Sequence, residues 1–255
     1  MNYDHAVDKN AIPTVRILGV EIAAIDMDWL LSFTEENATK LSGDYICVSN
    51  VHTTVMSYED ESYCAVQNGG ILAIPDGGPL STEGRRRGAK GMSRTTGPSY
   101  MGEVLKRSAI HGWKHYFYGS TQETLDKLKV KLEKSFPGLQ IVGMYSPPFR
   151  LLTREEDEAI IAAINAASPD FLWIGLGAPK QEKWMALHQG RVKGLMVGVG
   201  AAFDYYAGNI KRAPVWMQKN NLEWFYRLLQ DPKRLFKRYF VTNSKFILNA
   251  VVRGK

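Results

Sequence analysis

Two apolar runs joined by a helical pattern constrain the fold of this chain more than any other feature. The runs cover residues 45–48 and 71–74, and polar residues follow each of them at once. A strand, a helix and a second strand in this order form the βαβ unit of a parallel sheet. Open sheets of this kind bind ligands beyond the carboxyl ends of their strands. We therefore expect a ligand site where these two runs end.

The polar residues at the two strand ends include groups suited to proton transfer. Asn50 and His52 follow the first run, and Asp76 follows the second within the segment PDGGP. A carboxylate held in a ligand cleft can act as a general base. An aspartate in a turn can also serve only to bond its own backbone. Because the two loops should be neighbours in the sheet, a catalytic role for Asp76 is favoured over that structural one.

The same alternation continues along most of the chain. Further strands are predicted near residues 15–18, 115–118, 140–142, 171–174 and 195–199. Helical patterns occupy residues 26–41, 53–67, 98–110, 121–135, 153–167 and 179–189. Most strand runs are apolar throughout, which is typical of strands covered on both faces. We predict an α/β fold in which a Rossmann-like parallel sheet carries helices on both faces.

Composition excludes several classes of protein. The chain has two cysteines, Cys47 and Cys64, without CxxC spacing, so neither a disulfide framework nor a zinc site is expected. No apolar run approaches the roughly 20 residues of a membrane span. The polar N-terminus lacks the apolar stretch of a signal peptide. We expect a cytoplasmic protein.

Net charge divides the chain into two parts. Residues 205–255 contain eleven Lys or Arg and two acids, a net charge of +9, which leaves −3 for the rest. Helices are predicted there at residues 214–220, 222–230 and 232–252. We therefore predict an α/β catalytic core at residues 1–204 and a basic helical appendage at residues 205–255. Such asymmetry indicates an anionic partner.

Aromatic residues alternate with the basic ones in the predicted appendage. They are Trp216, Trp224, Phe225, Tyr226, Phe236, Tyr239, Phe240 and Phe246. An amphipathic helix docked on the core would account for some of them. Aromatic residues at the headgroup level, with cations facing anionic lipid, would instead attach the protein to a membrane surface. No nucleic-acid recognition motif is present, and we expect no such partner.

A glycine-rich basic stretch and a glycine turn are further candidates. Residues 84–98 read GRRRGAKGMSRTTGP, which predicts a loop that is either solvated or ordered by an anion. Arg85, Arg86, Arg87 and Lys90 are candidates for a diphosphate, and Arg94, beside a predicted helix start, is the strongest. Residues 175–182 read GLGAPKQE after a strand. This resembles a nucleotide-binding turn, with Gly177 and Gln181 as candidate ligand contacts.

Two alternative interpretations of these segments are weaker. The glycine turn lacks the third glycine of G-x-G-x-x-G, so a nucleotide-dependent oxidoreductase has little support. The D-x-D pattern at Asp26 and Asp28 opens a predicted helix, where capping explains it better than a metal site. The five histidines lack metal-ligand spacing. We expect neither a metal nor a cofactor.

A series of ordered motifs completes the pattern. They are NVH at 50–52, PDGGPL at 75–80, SRTTGP at 93–98, FYGS at 117–120, YSPPF at 145–149, GLGAPKQE at 175–182, GVGAAFDYYAG at 198–208, RAP at 212–214, LEWFYRL at 222–228 and DPKRLFKRY at 231–239. With these motifs the chain resembles the WecG/TagA/CpsF family of bacterial glycosyltransferases (glycosyltransferase family 26) over nearly its whole length. So many pieces in order are far more specific than any single motif.

The resemblance implies an inverting, metal-independent transferase with a GT-E-type core. Such enzymes move a sugar from a UDP-sugar to a polyprenyl-diphosphate-linked sugar at the inner face of the cell membrane. Teichoic-acid linkage and exopolysaccharide biosynthesis use such steps. The resemblance further implies that the appendage attaches the protein peripherally to the membrane and completes the active site, and it suggests a homo-oligomer in solution.

The resemblance also assigns roles by position. Asp76 matches the catalytic base and Asn50 the polar residue of the first loop, for which we expect a catalytic role. We expect His52, in the same loop, to bind substrate. Gln181 matches the polar residue of the glycine turn, and Arg227 and Arg234 match arginines that reach the donor diphosphate. Many members have T-x-N where this chain has Val48, Ser49 and Asn50. Because the threonine hydroxyl is absent, the resemblance leaves the donor sugar open, and a non-catalytic membrane scaffold stays as an alternative function.

Overall fold

The strands form a short hairpin and one large sheet in the computed structural model, which describes residues 3–255 apart from the side chains of Lys219 and Arg234. The hairpin pairs β1 (Thr14–Ile17) with β2 (Val20–Ala23). The sheet contains β3 (Tyr45–Ser49), β4 (Leu72–Pro75), β5 (Lys114–Gly119), β6 (Gln140–Tyr145), β7 (Phe171–Gly175) and β8 (Leu195–Gly198). Its order is β4-β3-β8-β7-β5-β6 and all neighbours are parallel. The predicted fold class is therefore confirmed.

Helices connect these strands and continue beyond the sheet. In the first half of the chain they are α1 (Met27–Asn37), α2 (Val51–Glu59), α3 (Glu61–Gly69), α4 (Gly78–Arg86), α5 (Gly97–His111) and α6 (Gln122–Ser135). In the second half they are α7 (Arg154–Ala167), α8 (Lys180–His188), α9 (Ala202–Ala207), α10 (Val215–Lys219), α11 (Glu223–Gln230) and α12 (Pro232–Phe246). A π-helical segment, Ile247–Val252, continues α12.

The sheet separates two hydrophobic layers. Ile46 and Val48 of β3 belong to the layer that contains α1, α5, α6 and α9. Tyr45 and Cys47 of the same strand belong to the layer that contains α2, α7, α8 and the hairpin. Successive residues of a strand point to opposite faces. A strand buried on both faces has no solvent side for polar residues, which explains its uninterrupted apolar sequence.

Polar side chains fix where several helices begin. Asp26, Asn50, Thr96, Thr121 and Thr153 each accept a hydrogen bond from a backbone N–H of the first turn of the helix that follows. Each such cap is worth about 1 kcal/mol. Asp26 is thus a helix cap, as its sequence context predicted.

Two local predictions were wrong, and a third was right about a strand but not about the sheet that it joins. The helix predicted at residues 53–67 is broken at Asp60, which adopts an extended backbone and caps α3. The loop predicted at residues 84–98 begins inside α4. The strand predicted near residues 15–18 pairs with β2 in the hairpin and is not part of the large sheet.

Residues 205–255, called the appendage below, pack against the rest of the chain. The predicted division between residues 204 and 205 falls within α9. Leu235, Phe246 and Ala250 are almost completely buried, and α12 packs against α2. Among residues 3–255, no helix is both long enough and apolar enough to span a membrane.

Candidate active site

The carboxyl ends of β3 and β4 bring the two predicted polar loops side by side. Ser49 and Pro75 are partners in the parallel register. The backbone N–H of Asp76 donates a 2.7 Å hydrogen bond to the carbonyl oxygen of Ser49. Asp76 and Asn50 therefore begin adjacent loops at the sheet edge where α/β proteins bind ligands.

The Asp76 carboxylate is half-buried and has no hydrogen bond or ion pair to any of the described residues. Burial raises the pKa of this carboxyl to about 6, and the negative charge of Glu223 acts in the same direction. The positive charges of Arg94, Arg227 and Arg212 oppose both effects. A carboxylate with a pKa near neutrality and free lone pairs is suited to accept a proton from a bound ligand.

The two glycines after Asp76 meet different structural requirements. Gly77 has φ of 103°, a conformation that residues with a side chain rarely adopt. A Cβ atom on Gly78 would lie 2.5 Å from Cγ of Asn221. Gly78 therefore allows the appendage to approach the Asp76 loop closely.

Asn50 and His52 lie at the start of α2, beside the Asp76 loop. Oδ1 of Asn50 accepts hydrogen bonds from the backbone N–H groups of His52 (3.0 Å) and Thr53 (3.2 Å). Nδ1 of His52 is buried without a hydrogen-bond partner. Burial, together with the positive charge of Arg238, lowers the pKa of His52. The catalytic role predicted for Asn50 and the substrate-binding role predicted for His52 stay predictions.

Gln181 holds the glycine turn after β7 in place. Its Oε1 accepts a 3.1 Å hydrogen bond from the N–H of Gly177, and its Nε2 donates to the carbonyl oxygen of Gly198 (3.1 Å) and to Glu182 (2.8 Å). The side chain is buried. Gly177 has φ of 77°, and no atom lies within 4 Å of the position that its Cβ would take. Gly177 therefore faces open space, whereas Gln181 supports the turn from behind. The ligand contacts predicted for both residues stay predictions.

The neighbouring ends of β5 and β7 lie beside this turn, where the chain changes direction along the sheet. The chain leaves β5 toward β6 and leaves β7 toward β8, in opposite directions along the sheet. A Cβ atom on Gly119 would lie 2.7 Å from the backbone of Gly175, and the N–H of Ser120 donates a 3.0 Å hydrogen bond to the Gly175 carbonyl. Such a switch point is where open α/β sheets place ligands.

Arg94 is the residue of the predicted basic loop that lies near Asp76. Its Nη1 donates a 3.0 Å hydrogen bond to the carbonyl oxygen of Gln218, and its Nη2 contacts the Glu223 carboxylate. Arg212 donates to the same carboxylate from Nε at 3.4 Å. The two contacts of Arg94 join the segment before α5 to the appendage.

Arg227 lies on α11 above the ring of Tyr205, with 5.9 Å between the guanidinium carbon and the ring centroid. Its charge acts on both Tyr205 and Asp76. The positive charge of Arg227 therefore favours the ionised form of Asp76. The side chain of Arg234, the other arginine predicted to reach a diphosphate, lies outside the described residues.

The arginine triplet of the basic loop has a structural role. Glu83, which is buried, pairs with Arg86 and Arg87. Arg87 also donates hydrogen bonds to the carbonyl oxygens of Ala250 (2.9 Å) and Lys255 (2.7 Å). Arg86 and Arg87 thus tie α4 to the C-terminal segment, whereas Arg85 donates to the carbonyl oxygen of Met92. The prediction that a solvated or ligand-ordered loop begins at Gly84 was wrong.

Three residues near Asp76 were not predicted as site residues: Arg212, Glu223 and Tyr205. Each lies within a motif that carries the family resemblance, RAP, LEWFYRL or GVGAAFDYYAG. Their position in these motifs was the signal in the sequence that pointed to them. A motif alone does not show which of its residues face the site. Among the described residues, no group of three or more His, Cys, Asp or Glu is arranged to hold a metal ion.

Comparison with known proteins places the chain in a family. The model of the glycosyl transferase WecG/TagA/CpsF family matches residues 15–255. An N-acetylglucosaminyldiphosphoundecaprenol N-acetyl-β-D-mannosaminyltransferase of Staphylococcus aureus (strain MW2) is 27% identical over 234 residues, which cover 89% of each chain. A protein of the same name from Bacillus subtilis (strain 168) is 31% identical over 196 residues, 75% of this chain and 73% of its own. The chain belongs to the WecG/TagA/CpsF family and is a glycosyltransferase.

Proposed function

We propose that this enzyme transfers a sugar from a UDP-sugar to a polyprenyl-diphosphate-linked sugar, with inversion and without a metal ion. The observation that carries the proposal is the Asp76 carboxylate, unpaired among the described residues, with three arginines acting on it at the ligand-binding edge of the sheet. The similar proteins are named for an acceptor that is a sugar linked to undecaprenol through a diphosphate.

Asp76 serves as the general base in this mechanism. It takes the proton from the acceptor hydroxyl while that oxygen forms a bond to the anomeric carbon of the donor. The bond from the anomeric carbon to the UDP oxygen breaks, and UDP leaves with the electron pair. Attack from the face opposite UDP inverts the anomeric centre.

Arginines stabilise the leaving diphosphate. Negative charge grows on UDP as its bond to the sugar breaks, and fixed cations near that position lower the barrier. Arg94 and Arg227 supply positive charges that act on Asp76. The family resemblance adds Arg234 as a third arginine with this role. Transfer should therefore continue in the presence of EDTA.

The donor sugar is the part of the substrate that the family does not fix. Val48 replaces the threonine of many members, and its side chain is buried. A Cβ atom on Gly97 would lie 3.3 Å from Val48, so this side chain packs at the start of α5. Position 48 therefore offers no hydroxyl to a donor sugar. For this reason, donors other than UDP-N-acetylmannosamine should be tested together with UDP-N-acetylmannosamine itself.

The appendage provides a surface for membrane attachment. Its exposed large apolar residues are Val215, Trp216, Trp224, Phe225, Leu229, Phe236, Phe240, Val241, Ile247, Leu248, Val251 and Val252. Lysines and arginines of the same segment give it a net positive charge. Aromatic and aliphatic side chains with flanking cations bind the interface of anionic bilayers. Such attachment would bring Asp76 to a lipid-linked acceptor.

Polar substitution of two stacked phenylalanines tests this surface. Phe236 and Phe240 are 62% and 67% exposed, with ring centroids 6.3 Å apart. The double change Phe236→Gln/Phe240→Gln should reduce binding to anionic vesicles roughly tenfold or more, because each ring that enters the bilayer interface contributes to the affinity for vesicles. Ile110→Gln/Val130→Gln, which alters exposed residues of α5 and α6, should bind as the unaltered protein does. Equal losses in both variants, measured by vesicle sedimentation, would contradict the assignment.

The pH dependence of transfer follows from Asp76. Its pKa is raised to about 6, and a base must be ionised to act. We expect kcat/KM to be constant at alkaline pH and to fall as the pH drops below about 6, by about tenfold per pH unit. A profile that stays level well below this pH would argue against Asp76 as the base.

Acceptor-dependent release of UDP tests the proposed function. Purified protein is incubated with EDTA, a panel of UDP-sugars and a lipid-diphosphate-linked N-acetylglucosamine in liposomes. Release with one donor, and only when acceptor is present, supports the transferase and identifies the donor. Failure of every UDP-sugar both to bind and to release UDP would contradict the proposed donor class.

A further inference from the structure

The Glu223 carboxylate lies between two arginines next to Asp76. Oε2 contacts Nη2 of Arg94, and Oε1 lies 3.4 Å from Nε of Arg212. The Glu223 side chain is only 11% exposed. Glu223 belongs to α11 of the appendage, whereas Arg94 precedes α5. An anion supplied by the protein itself therefore occupies a site built from two guanidinium groups.

Other contacts hold both arginines independently of Glu223. Arg94 also donates to the carbonyl oxygen of Gln218 at 3.0 Å. Arg212 donates from Nη2 to the hydroxyls of Ser99 (2.8 Å) and Thr96 (3.3 Å). The two guanidinium groups therefore stay positioned for an anion when Glu223 moves away. Paired guanidinium groups bind phosphate oxygens through charge-assisted hydrogen bonds.

We propose that Arg94 and Arg212 form a binding site for a substrate diphosphate, and that Glu223 fills this site until the diphosphate displaces it. The identity of the substrates rests on the proposed function, in which donor and acceptor both carry a diphosphate group. Neither the role of Arg212 nor that of Glu223 follows from that function alone.

The charges around Asp76 support displacement over simultaneous binding. Arg94, Arg212 and Arg227 face two acidic side chains, Asp76 and Glu223. A diphosphate would be a third anionic group at the same place, and like charges in a partly buried site repel strongly. When Glu223 moves away from the arginines, one of these three anionic groups leaves the site.

An open cleft reaches one side of this site, at Arg94. It has a volume of about 470 Å³ and is lined by Arg94, Gln218, Asn221, Ser81, Arg85 and Val215. Arg94 both lines the cleft and contacts the Glu223 carboxylate. A diphosphate that enters the cleft meets Arg94 directly and can compete with the Glu223 carboxylate for it.

Ligand affinity measured without turnover tests the proposal. In Glu223→Gln the internal competitor loses its charge, and we expect roughly tenfold tighter binding of a diphosphate at low salt. The double variant Glu223→Gln/Arg212→Gln should lose this gain. Glu83→Gln is the matched control: Glu83 is also buried between two arginines, Arg86 and Arg87. It should leave diphosphate affinity unchanged, and thermal unfolding verifies that each variant is folded.

Two probes distinguish the source of the diphosphate. UDP represents the donor and farnesyl diphosphate represents the lipid-linked acceptor. Tighter binding of one probe by Glu223→Gln assigns the site to that substrate, and tighter binding of both assigns it to the shared group. Unchanged or weaker binding of both probes by folded Glu223→Gln overturns the proposal. Sugar transfer by the unaltered protein is a separate result, so the proposed function can fail while the displacement stands, or the reverse.

Discussion

Asp76→Asn is expected to reduce sugar transfer by roughly 10²–10⁴-fold, the usual contribution of a general base. Asparagine has nearly the same shape as aspartate, but its amide does not accept the acceptor proton. Donor binding should change little because the arginines around position 76 are intact. The comparison is a single-turnover assay of both proteins with saturating donor and lipid-linked acceptor.

The stability of the same variant separates loss of chemistry from loss of fold. The folded-state pKa of Asp76 is raised from 3.8 to about 6, so ionising this carboxyl costs folding free energy. That cost is absent below pH 3.8, grows between there and about pH 6, and is constant above about pH 6. Asp76→Asn avoids the cost, and its melting temperature should exceed that of the unaltered protein most clearly above about pH 6. Full activity in a folded Asp76→Asn protein would remove Asp76 as the base.

Arg227→Gln is expected to lower kcat/KM by roughly 10²–10³-fold, as loss of one group that stabilises transition-state charge does elsewhere. Arg227 lies over Tyr205 and acts on Asp76 through its charge. Glutamine keeps hydrogen-bonding capacity but carries no charge to oppose that of the leaving diphosphate. Steady-state kinetics with varied donor measure the effect.

A second appendage arginine provides the control for Arg227. Arg253 is exposed and donates to Oδ1 of Asn249 at 3.1 Å, and Arg253→Gln removes the same positive charge from the appendage. It should retain nearly all transfer activity. If both variants lose activity equally, the effect of Arg227 comes from the overall charge of the appendage and not from its place near Asp76.

The sequence predicted the sheet and the position of Asp76 because both depend on local patterns. A strand buried on both faces has to be apolar along its length, so β3, β4, β7 and β8 were found within one residue of their bounds. Asp76 follows one of these strands directly. Sheet topology then brought it beside Asn50 without any further information.

The network around Glu223 could not be predicted because its contacts join distant parts of the chain. Arg94 and Glu223 are 129 residues apart in sequence, and no local pattern indicates such a pair. The contacts of Arg86 and Arg87 were missed for the same reason. The density of charge around them suggested an anionic ligand, whereas Arg87 in fact bonds a backbone carbonyl 163 residues away.

Helix α4 was missed because its sequence, GPLSTEGRR, contains residues that disfavour helices in isolation. Burial of Leu80 and the Glu83 ion pairs stabilises it in the folded protein. The break at Asp60 was missed because the prediction followed the helical pattern of apolar residues. Asp60 ends one helix and caps the next, and a cap does not change that pattern.

The anomeric configuration of the product shows whether the sugar is transferred in a single displacement. A single displacement assisted by Asp76 requires that the transferred sugar have the configuration opposite to that of the donor. NMR of the product formed from one UDP-sugar and the lipid-linked acceptor should show only the inverted linkage, formed at the rate of UDP release. A retained linkage, or UDP release with free sugar as the sole product, would contradict the account.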